Sequence, residues 1–176
     1  VGWITLYAGI AGGADVVLIP EIPYDIDKVV KALNERTKAG KRFSILAVAE
    51  GAISKEVAAL SKKERKKLEE NPQFVSTAYR IADELAKKGI EDIRVAVPGH
   101  TQRGGSPCPY DRVLSSRFGA KAAQMIADKD YGKLVVLVNN EITAIPLEES
   151  AGKLKYVSPE SDIIDQARTL GISFGD

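Results

Sequence analysis

Residues 14–36 of the chain are ADVVLIPEIPYDIDKVVKALNER, a short strand pattern followed at once by a helix pattern. The run 16–19 is apolar and rich in β-branched residues, and the proline at position 20 stops it, which is typical of a buried strand. Asp25 is a favourable N-cap, and the apolar residues between it and Arg36 recur at helical spacing. This stretch therefore predicts one strand–helix unit of an α/β protein.

The same alternation of strand and helix patterns continues along the rest of the chain. Strands separated by helices imply parallel crossovers, with helices covering the faces of the sheet. We therefore expect an α/β fold of three layers, in which a Rossmann-like sheet, parallel or mostly parallel, has helices on both faces. Further strands are predicted at 43–48, 93–97, 134–138 and 141–145, and further helices at 3–11, 74–88, 110–127 and 161–170.

Composition argues against several classes of protein. The 176 residues suffice for one domain with a sizeable core, since 44% of them are hydrophobic. The chain has 25 basic and 24 acidic residues, so its net charge is +1. It therefore lacks the basic excess typical of proteins that bind nucleic acid or acidic membranes. No apolar run approaches the roughly 18–20 residues that cross a bilayer. We expect neither nucleic acid nor a membrane as a partner.

The cysteine content of the chain indicates a cellular compartment, and its first residues indicate whether it is part of a longer chain. Cys108 is the single cysteine, which permits no internal disulfide and suits a reducing compartment. The chain has no initiator Met and opens inside the apolar stretch VGWI at 1–4. We therefore expect a cytoplasmic protein and a chain that is part of a longer one.

A dense group of basic residues, KKERKK, lies at 62–67. Glutamates at positions 64, 69 and 70 offset these charges at helical spacing. The pattern favours an exposed helix face over a contact with nucleic acid.

Ligands of parallel α/β sheets bind beyond the carboxyl ends of the strands. Three segments follow predicted strands in this chain: residues 20–21, 50–51 and 98–107, the last with the sequence PGHTQRGGSP. Glycines in the last segment let the backbone approach a ligand, and His100 and Arg103 can donate to anion oxygens. The residues alone therefore predict an α/β domain with an anion site, although a lone His in such a loop is more often structural.

Arg94 lies six residues before His100, within a predicted strand. An extended strand separates these two positions by roughly 20 Å, at about 3.3 Å per residue. They can therefore bind one phosphate only across a subunit boundary, and taken alone Arg94 is better explained as a solvated charge.

Several of these motifs together resemble the 6-phosphofructokinases. The segment GHTQRGGSP at 99–107 is followed by YDR at 110–112 and RFG at 117–119, as in the signature region of that family. The resemblance also covers residues 12–21 and 46–51, and the ending GISFGD is similar to the branch whose members use either ATP or pyrophosphate. It implies phosphorylation of fructose 6-phosphate at its 1-hydroxyl, giving fructose 1,6-bisphosphate in glycolysis.

The resemblance also implies roles for individual substrate-binding residues. Glu50 matches the glutamate that accepts hydrogen bonds from the sugar hydroxyls. His100 and Arg103 match the pair that holds the 6-phosphate, and Thr101 and Gln102 lie between them in the same substrate-binding loop. Charged donors for a dianion and a carboxylate for hydroxyls are chemically suited to these roles.

Two further implications concern subunits and regulation. Arg94 matches an arginine that reaches the phosphate of a neighbouring subunit, so a homo-oligomer, a dimer or tetramer, is expected. Glu21 and Lys41 match two positions of an allosteric effector site, although Ala39 stands where a lysine is common.

The chain departs from the family pattern on the side of the phosphoryl donor. It contains no glycine-rich donor loop, no Gly-Gly-Asp-Gly segment for the metal and no Thr-Ile-Asp segment with the catalytic base. We therefore expect no catalytic residue and no metal ligand here, with Mg²⁺ and ATP or pyrophosphate bound elsewhere in the parent protein, and an inactive isolated chain. Residues 1–103 are expected to form part of the fructose 6-phosphate-binding lobe. Residues 104–176 would return toward the donor-binding lobe and end in a helix. The alternative is a non-catalytic module that binds a sugar phosphate or another anion.

Overall fold

The computed structural model describes residues 1–70 and 74–176, which divide into two units. The first unit comprises Val1–Val97 and Lys155–Asp176, and the second comprises Pro98–Leu154. The C-terminal helix thus belongs to the first unit. The expected assignment of residues 1–103 and 104–176 to two functional lobes stays a prediction.

Two parallel strands lie at the centre of the first unit. Strand β1 (Val16–Leu18) pairs with β2 (Leu46–Val48), and Val17 lies opposite Ala47. The C-terminal segment joins the other side of β1 through a parallel bridge, in which Val17 N donates to Ser173 O at 2.9 Å. The elements of this unit are α1 (Trp3–Ala11), β1 (Val16–Leu18), α2 (Ile26–Lys38), β2 (Leu46–Val48), α3 (Lys55–Ala59), α4 (Lys62–Glu70), α5 (Thr77–Lys87) and α8 (Asp162–Thr169).

Side chains of β1 alternate between two apolar clusters, one on each face of the sheet. Val17 packs with residues of α1 and α8, including Leu6 and Ile164, and all three side chains are fully buried. On the opposite face Leu18 packs with residues of α2 and α5. Full burial of one such side chain stabilises the fold by about 1.5–3 kcal/mol. The predicted α/β class is confirmed, and this unit has helices on both faces of its sheet.

Close packing of α1 on the sheet depends on a glycine. A Cβ at Gly9 would lie 2.5 Å from Val17 Cγ2, closer than carbon atoms approach without displacement. The helix predicted at 3–11 can therefore approach β1 closely only because position 9 has no side chain.

The second unit contains a hairpin packed with a long helix. Strands β3 (Lys133–Val138) and β4 (Glu141–Pro146) are antiparallel, with Val138 opposite Glu141. The two residues between them, Asn139 and Asn140, both have positive φ, 48° and 67°, as a tight hairpin turn requires. The strand predicted at 141–145 is confirmed, but it pairs antiparallel, whereas parallel crossovers were expected. The elements are a 3₁₀ turn (Gly99–Arg103), α6 (Pro109–Ala127), β3 (Lys133–Val138), β4 (Glu141–Pro146) and α7 (Leu147–Ser150).

The predicted strand at 93–97 is wrong, because these residues form no ladder with β2. A cleft of about 470 Å³ is lined both by β2, through Leu46 and Val48, and by residues 90–96. An extended segment becomes a strand only when its backbone groups bond to a neighbour. Apolar composition favoured a strand here, but the backbone pairing is missing.

The strand predicted at 43–48 is shorter in the structure, which begins β2 at Leu46. Phe43 is 73% exposed, so the apolar run starts outside the core. Among the described residues, no helix is both long enough and apolar enough to cross a membrane.

Candidate functional site

Glu50 lies in the turn that directly follows β2, and its side chain is exposed. The turn is fixed at its start because Ala49 N donates to Leu18 O at 2.9 Å, and it is closed by Ala52 N donating to Ala49 O at 3.0 Å. A Cβ added at Gly51 would be 3.6 Å from Pro20, the residue that follows the end of β1 by two positions. The turns after the two strands are therefore neighbours at the carboxyl edge, as parallel pairing requires.

Two side chains of α5 donate hydrogen bonds to backbone carbonyl groups of this turn. Thr77 Oγ1 donates to Glu50 O at 2.5 Å, and Arg80 Nη2 donates to Ala52 O at 2.8 Å. Sequence reasoning missed both residues. Their spacing of three on a predicted helix places them on one face, but nothing local identifies their partners, which lie 27 and 28 residues away.

The same face of α5 carries a third polar contact. Tyr24 Oη donates to Glu84 Oε2 at 3.0 Å. Burial raises the pKa of Tyr24 well above its ordinary value, the nearby Arg80 lowers it, and Glu84 raises it further. The phenol therefore remains a protonated donor and fixes α5 beside the loop that follows β1.

Glu21, the predicted effector residue after β1, is engaged by the fold itself. Its carboxylate accepts from Gly2 N at 3.0 and 3.1 Å and from Val157 N at 3.1 Å. These bonds join the start of α1 to the segment that precedes α8. A negative carboxylate near the first turn of a helix also interacts favourably with the positive end of the helix dipole. The Glu21 contact is therefore stabilised by the dipole of α1 as well as by its hydrogen bonds.

Lys41, the second predicted effector residue, is exposed and lines a cleft of about 760 Å³ between α2 and the C-terminal segment. Two arginine side chains that line this cleft form ion pairs, Arg36 with Asp15 at 2.8 Å and Arg168 with Asp176 at 2.6 Å. These pairs partly neutralise the positive charge of the cleft. An effector role for Glu21 and Lys41 stays a prediction.

Arg94 is exposed and lies on the segment that lines the cleft beside β2. The apolar residues of that cleft come from β2, α2, α5 and the segment 90–96 itself, together with Phe43. The predicted role of Arg94 at a neighbouring subunit stays a prediction.

The predicted phosphate-binding residues form the 3₁₀ turn of the second unit. Thr101 N donates to Pro98 O at 3.1 Å, and positive φ values of 53° at Gly99 and 92° at Gly105 bend the chain on either side. In a 3₁₀ helix the side chains at i and i+3 eclipse, so His100 and Arg103 share one face. Both are exposed, as are the intervening Thr101 and Gln102.

These predicted residues are distributed over both units. Glu50 and Arg94 belong to the first unit, and the turn with His100 and Arg103 belongs to the second. Their association in one site stays a prediction. Within residues 1–70 and 74–176, no group of three or more His, Cys, Asp or Glu side chains is arranged to hold a metal ion.

Comparison with known proteins gives consistent matches. The sequence model of the family described as Phosphofructokinase matches residues 1–126. The chain is 50% identical to an ATP-dependent 6-phosphofructokinase of Spirochaeta thermophila, over 99% of this chain and 48% of that protein. It is 41% identical to a pyrophosphate–fructose 6-phosphate 1-phosphotransferase of Amycolatopsis methanolica, over 90% of this chain and 46% of that protein. The chain spans about half the length of these curated relatives.

A solved structure is similar as well. Phosphofructokinase from Saccharomyces cerevisiae superposes with a TM-score of 0.67 and 31% sequence identity. The match covers 85% of this chain and 19% of the yeast chain.

Proposed function

The chain belongs to the phosphofructokinase family, and we propose that it is the fructose 6-phosphate-binding part of a 6-phosphofructokinase. The observation that carries this proposal is the GHTQRGGSP segment at 99–107, whose first five residues form an exposed 3₁₀ turn with His100 and Arg103 on one face. An imidazole and a guanidinium on one face supply charge-assisted donors for a phosphate dianion. The names of relatives at 50% and 41% identity support the same substrate and reaction class.

In the proposed reaction the 1-hydroxyl oxygen of fructose 6-phosphate attacks the terminal phosphorus of ATP or pyrophosphate. The new O–P bond forms as the bond to ADP or phosphate breaks, and the hydroxyl proton passes to a general base supplied by another part of the protein. This chain contributes on the acceptor side: Glu50 accepts hydrogen bonds from sugar hydroxyls, while His100 and Arg103 hold the 6-phosphate. Such contacts orient the hydroxyl, and positioning is a large part of catalysis in phosphoryl transfer.

Other segments must supply the donor side of this proposed enzyme. The described residues offer no metal-ligand cluster, and the sequence lacks Gly-Gly-Asp-Gly and Thr-Ile-Asp segments. We therefore assign Mg²⁺, the phosphoryl donor and the catalytic base to a remaining part of the full-length protein. We place the enzyme in glycolysis in the cytoplasm, as a homo-oligomer in which Arg94 reaches the phosphate of a neighbouring subunit.

Turnover by the full-length protein tests the proposal. We expect fructose 1,6-bisphosphate to form from fructose 6-phosphate and Mg²⁺ with ATP or with pyrophosphate, and the two donors are assayed separately. The 176-residue chain alone serves as the control and should give no product, because it would bind the sugar phosphate only. Absence of product from the full-length protein with either donor would contradict the proposal and leave a non-catalytic anion-binding module.

A further inference from the structure

The face of α5 that points toward the carboxyl edge of the sheet carries its polar contacts at positions 77, 80 and 84, spaced i, i+3 and i+7. All three contact the loops that follow β1 and β2. Thr77 donates to Glu50 O, Arg80 donates to Ala52 O, and Glu84 accepts from Tyr24. One helix face thus contacts the backbone on both sides of Gly51 and the loop beside it.

The turn needs these donors because it lies beyond the end of β2, where ladder hydrogen bonds no longer fix its carbonyl groups. Ala52 is only 1% exposed, so a carbonyl at this position has little access to water. Arg80 supplies a charged donor to it, and hydrogen bonds to charged groups are stronger than neutral ones. Thr77 donates to the backbone carbonyl of Glu50, and the side chain of Glu50 is exposed to solvent.

Helix α5 is a firm support for the two donors. Ser76 caps it, with its side chain accepting from Tyr79 N at 3.5 Å, and Ile81 and Leu85 are buried against the sheet. A change at Thr77 or Arg80 would therefore alter the turn more than the helix.

We propose that Thr77 and Arg80 are positioning residues for fructose 6-phosphate binding, which act by holding the backbone of the turn that carries Glu50, Thr77 at Glu50 itself and Arg80 at Ala52. This inference rests on the proposed function, in which the Glu50 carboxylate accepts hydrogen bonds from the sugar. A carboxylate on a fixed backbone loses less conformational entropy when the sugar binds. Removing either donor should weaken sugar binding without changing binding of the phosphoryl donor.

The first test is Thr77→Val in the full-length protein, since valine keeps the shape and removes the hydroxyl. We expect KM for fructose 6-phosphate to rise roughly three- to tenfold, the factor that one net hydrogen bond represents. The turnover number and KM for the phosphoryl donor should stay within about twofold of wild type. Thr77→Ser should restore the wild-type KM because it restores the hydroxyl.

A matched control removes an equivalent hydrogen bond elsewhere in the same unit. Thr37 Oγ1 donates to Leu33 O at 3.1 Å within α2. Thr37→Val should leave KM for fructose 6-phosphate unchanged. An equal rise in Thr37→Val and Thr77→Val would show a general loss of rigidity and would overturn the inference.

A double-mutant cycle with Glu50→Ala separates this inference from the proposed function. If Thr77 acts through Glu50, Thr77→Val should add less than about twofold to KM once the Glu50 carboxylate is gone. An undiminished effect in the Glu50→Ala background overturns the inference. A raised KM in Glu50→Ala with no effect of Thr77→Val also overturns it, while the proposed role of Glu50 stands. An unchanged KM in Glu50→Ala contradicts that role itself, and the inference falls with it.

Arg80→Gln provides a second variant if Thr77→Val does not fold. The same cycle applies, with Arg65→Gln as its matched control. Arg65 also donates to backbone carbonyls, to Ala58 O at 2.7 Å and Leu60 O at 3.0 Å, but at the C-terminal end of α3. Only Arg80→Gln should raise KM for fructose 6-phosphate.

Discussion

The turns after β1 and β2 both present a glutamate at the same edge of the sheet, yet the fold uses the two glutamates in opposite ways. The Glu21 carboxylate accepts backbone hydrogen bonds from Gly2 and Val157. At Glu50 the fold instead holds the backbone carbonyl through Thr77, and the side chain is exposed. Position at the carboxyl edge therefore does not by itself distinguish a structural glutamate from a ligand-binding one. The difference lies in whether the rest of the chain engages the carboxylate or the backbone.

The largest expected effect separates these two glutamates directly. Glu21→Ala should lower the free energy of unfolding by about 2–3 kcal/mol, because two buried backbone N–H groups lose their acceptor. Glu50→Ala should change it by less than about 0.5 kcal/mol, as is usual for an exposed side chain. Thermal unfolding of the full-length protein measures both. Equal destabilisation by the two substitutions would break the comparison.

The second-largest effect is expected at Arg103, whose exposed side chain we assign to substrate binding and not to structural support of the kind that Glu21 gives. Arg103→Ala should raise KM for fructose 6-phosphate at least tenfold, since loss of a hydrogen bond to a charged group costs about 1.5–3 kcal/mol. Its thermal unfolding should match wild type, because Arg103 is exposed on the 3₁₀ turn. Steady-state kinetics and unfolding of the same preparation test this.

Arg112→Ala, in the first turn of α6, is a control that also removes an exposed guanidinium. If Arg103→Ala destabilised the protein and left KM unchanged, Arg103 would belong with Glu21 as a structural residue.

Local sequence patterns predicted the helices and strands of this molecule better than they predicted its tertiary contacts. Periodicity located β1, α2 and α6, because the signals for these elements lie within a few residues of one another. The run at 93–97 has the composition of a strand, but a strand also requires a paired neighbour, which composition does not encode. The hairpin of β3 and β4 carried a local signal in Asn139 and Asn140 that strand–helix alternation alone did not use.

The candidate site was predictable only in part, for a related reason. Resemblance to the 6-phosphofructokinases pointed to His100 and Arg103 through the HTQRGG motif and to Glu50 through residues 46–51, and these roles stay predictions. The contacts of Glu21 and Thr77 were missed because their partners are distant in the chain, with Val157 lying 136 residues from Glu21. Such contacts form only through tertiary packing.

The smallest effect is expected at a second carboxylate that the fold engages, Asp176. Arg168 donates two hydrogen bonds to it, at 2.9 and 2.6 Å, in the segment that joins β1 through Ser173. The hydrogen bonds from Arg168 lower the pKa of Asp176 below its ordinary value. Stability from this pair is therefore present above about pH 4, the ordinary pKa of an aspartate, and is lost as the pH falls through the lowered value.

Asp176→Asn should accordingly destabilise the protein at pH 7 by no more than about 1 kcal/mol, because the side chain is 35% exposed and solvent screens the pair. The difference from wild type should shrink as the pH falls below about 4, since the wild-type carboxyl then also loses its charge. Thermal unfolding of the full-length protein over this pH range measures it. Glu35→Gln removes a more exposed carboxylate, 3.8 Å from Lys31, and should have little effect at either pH. A difference for Asp176→Asn that stays constant with pH would show that the contact acts through shape and not through charge.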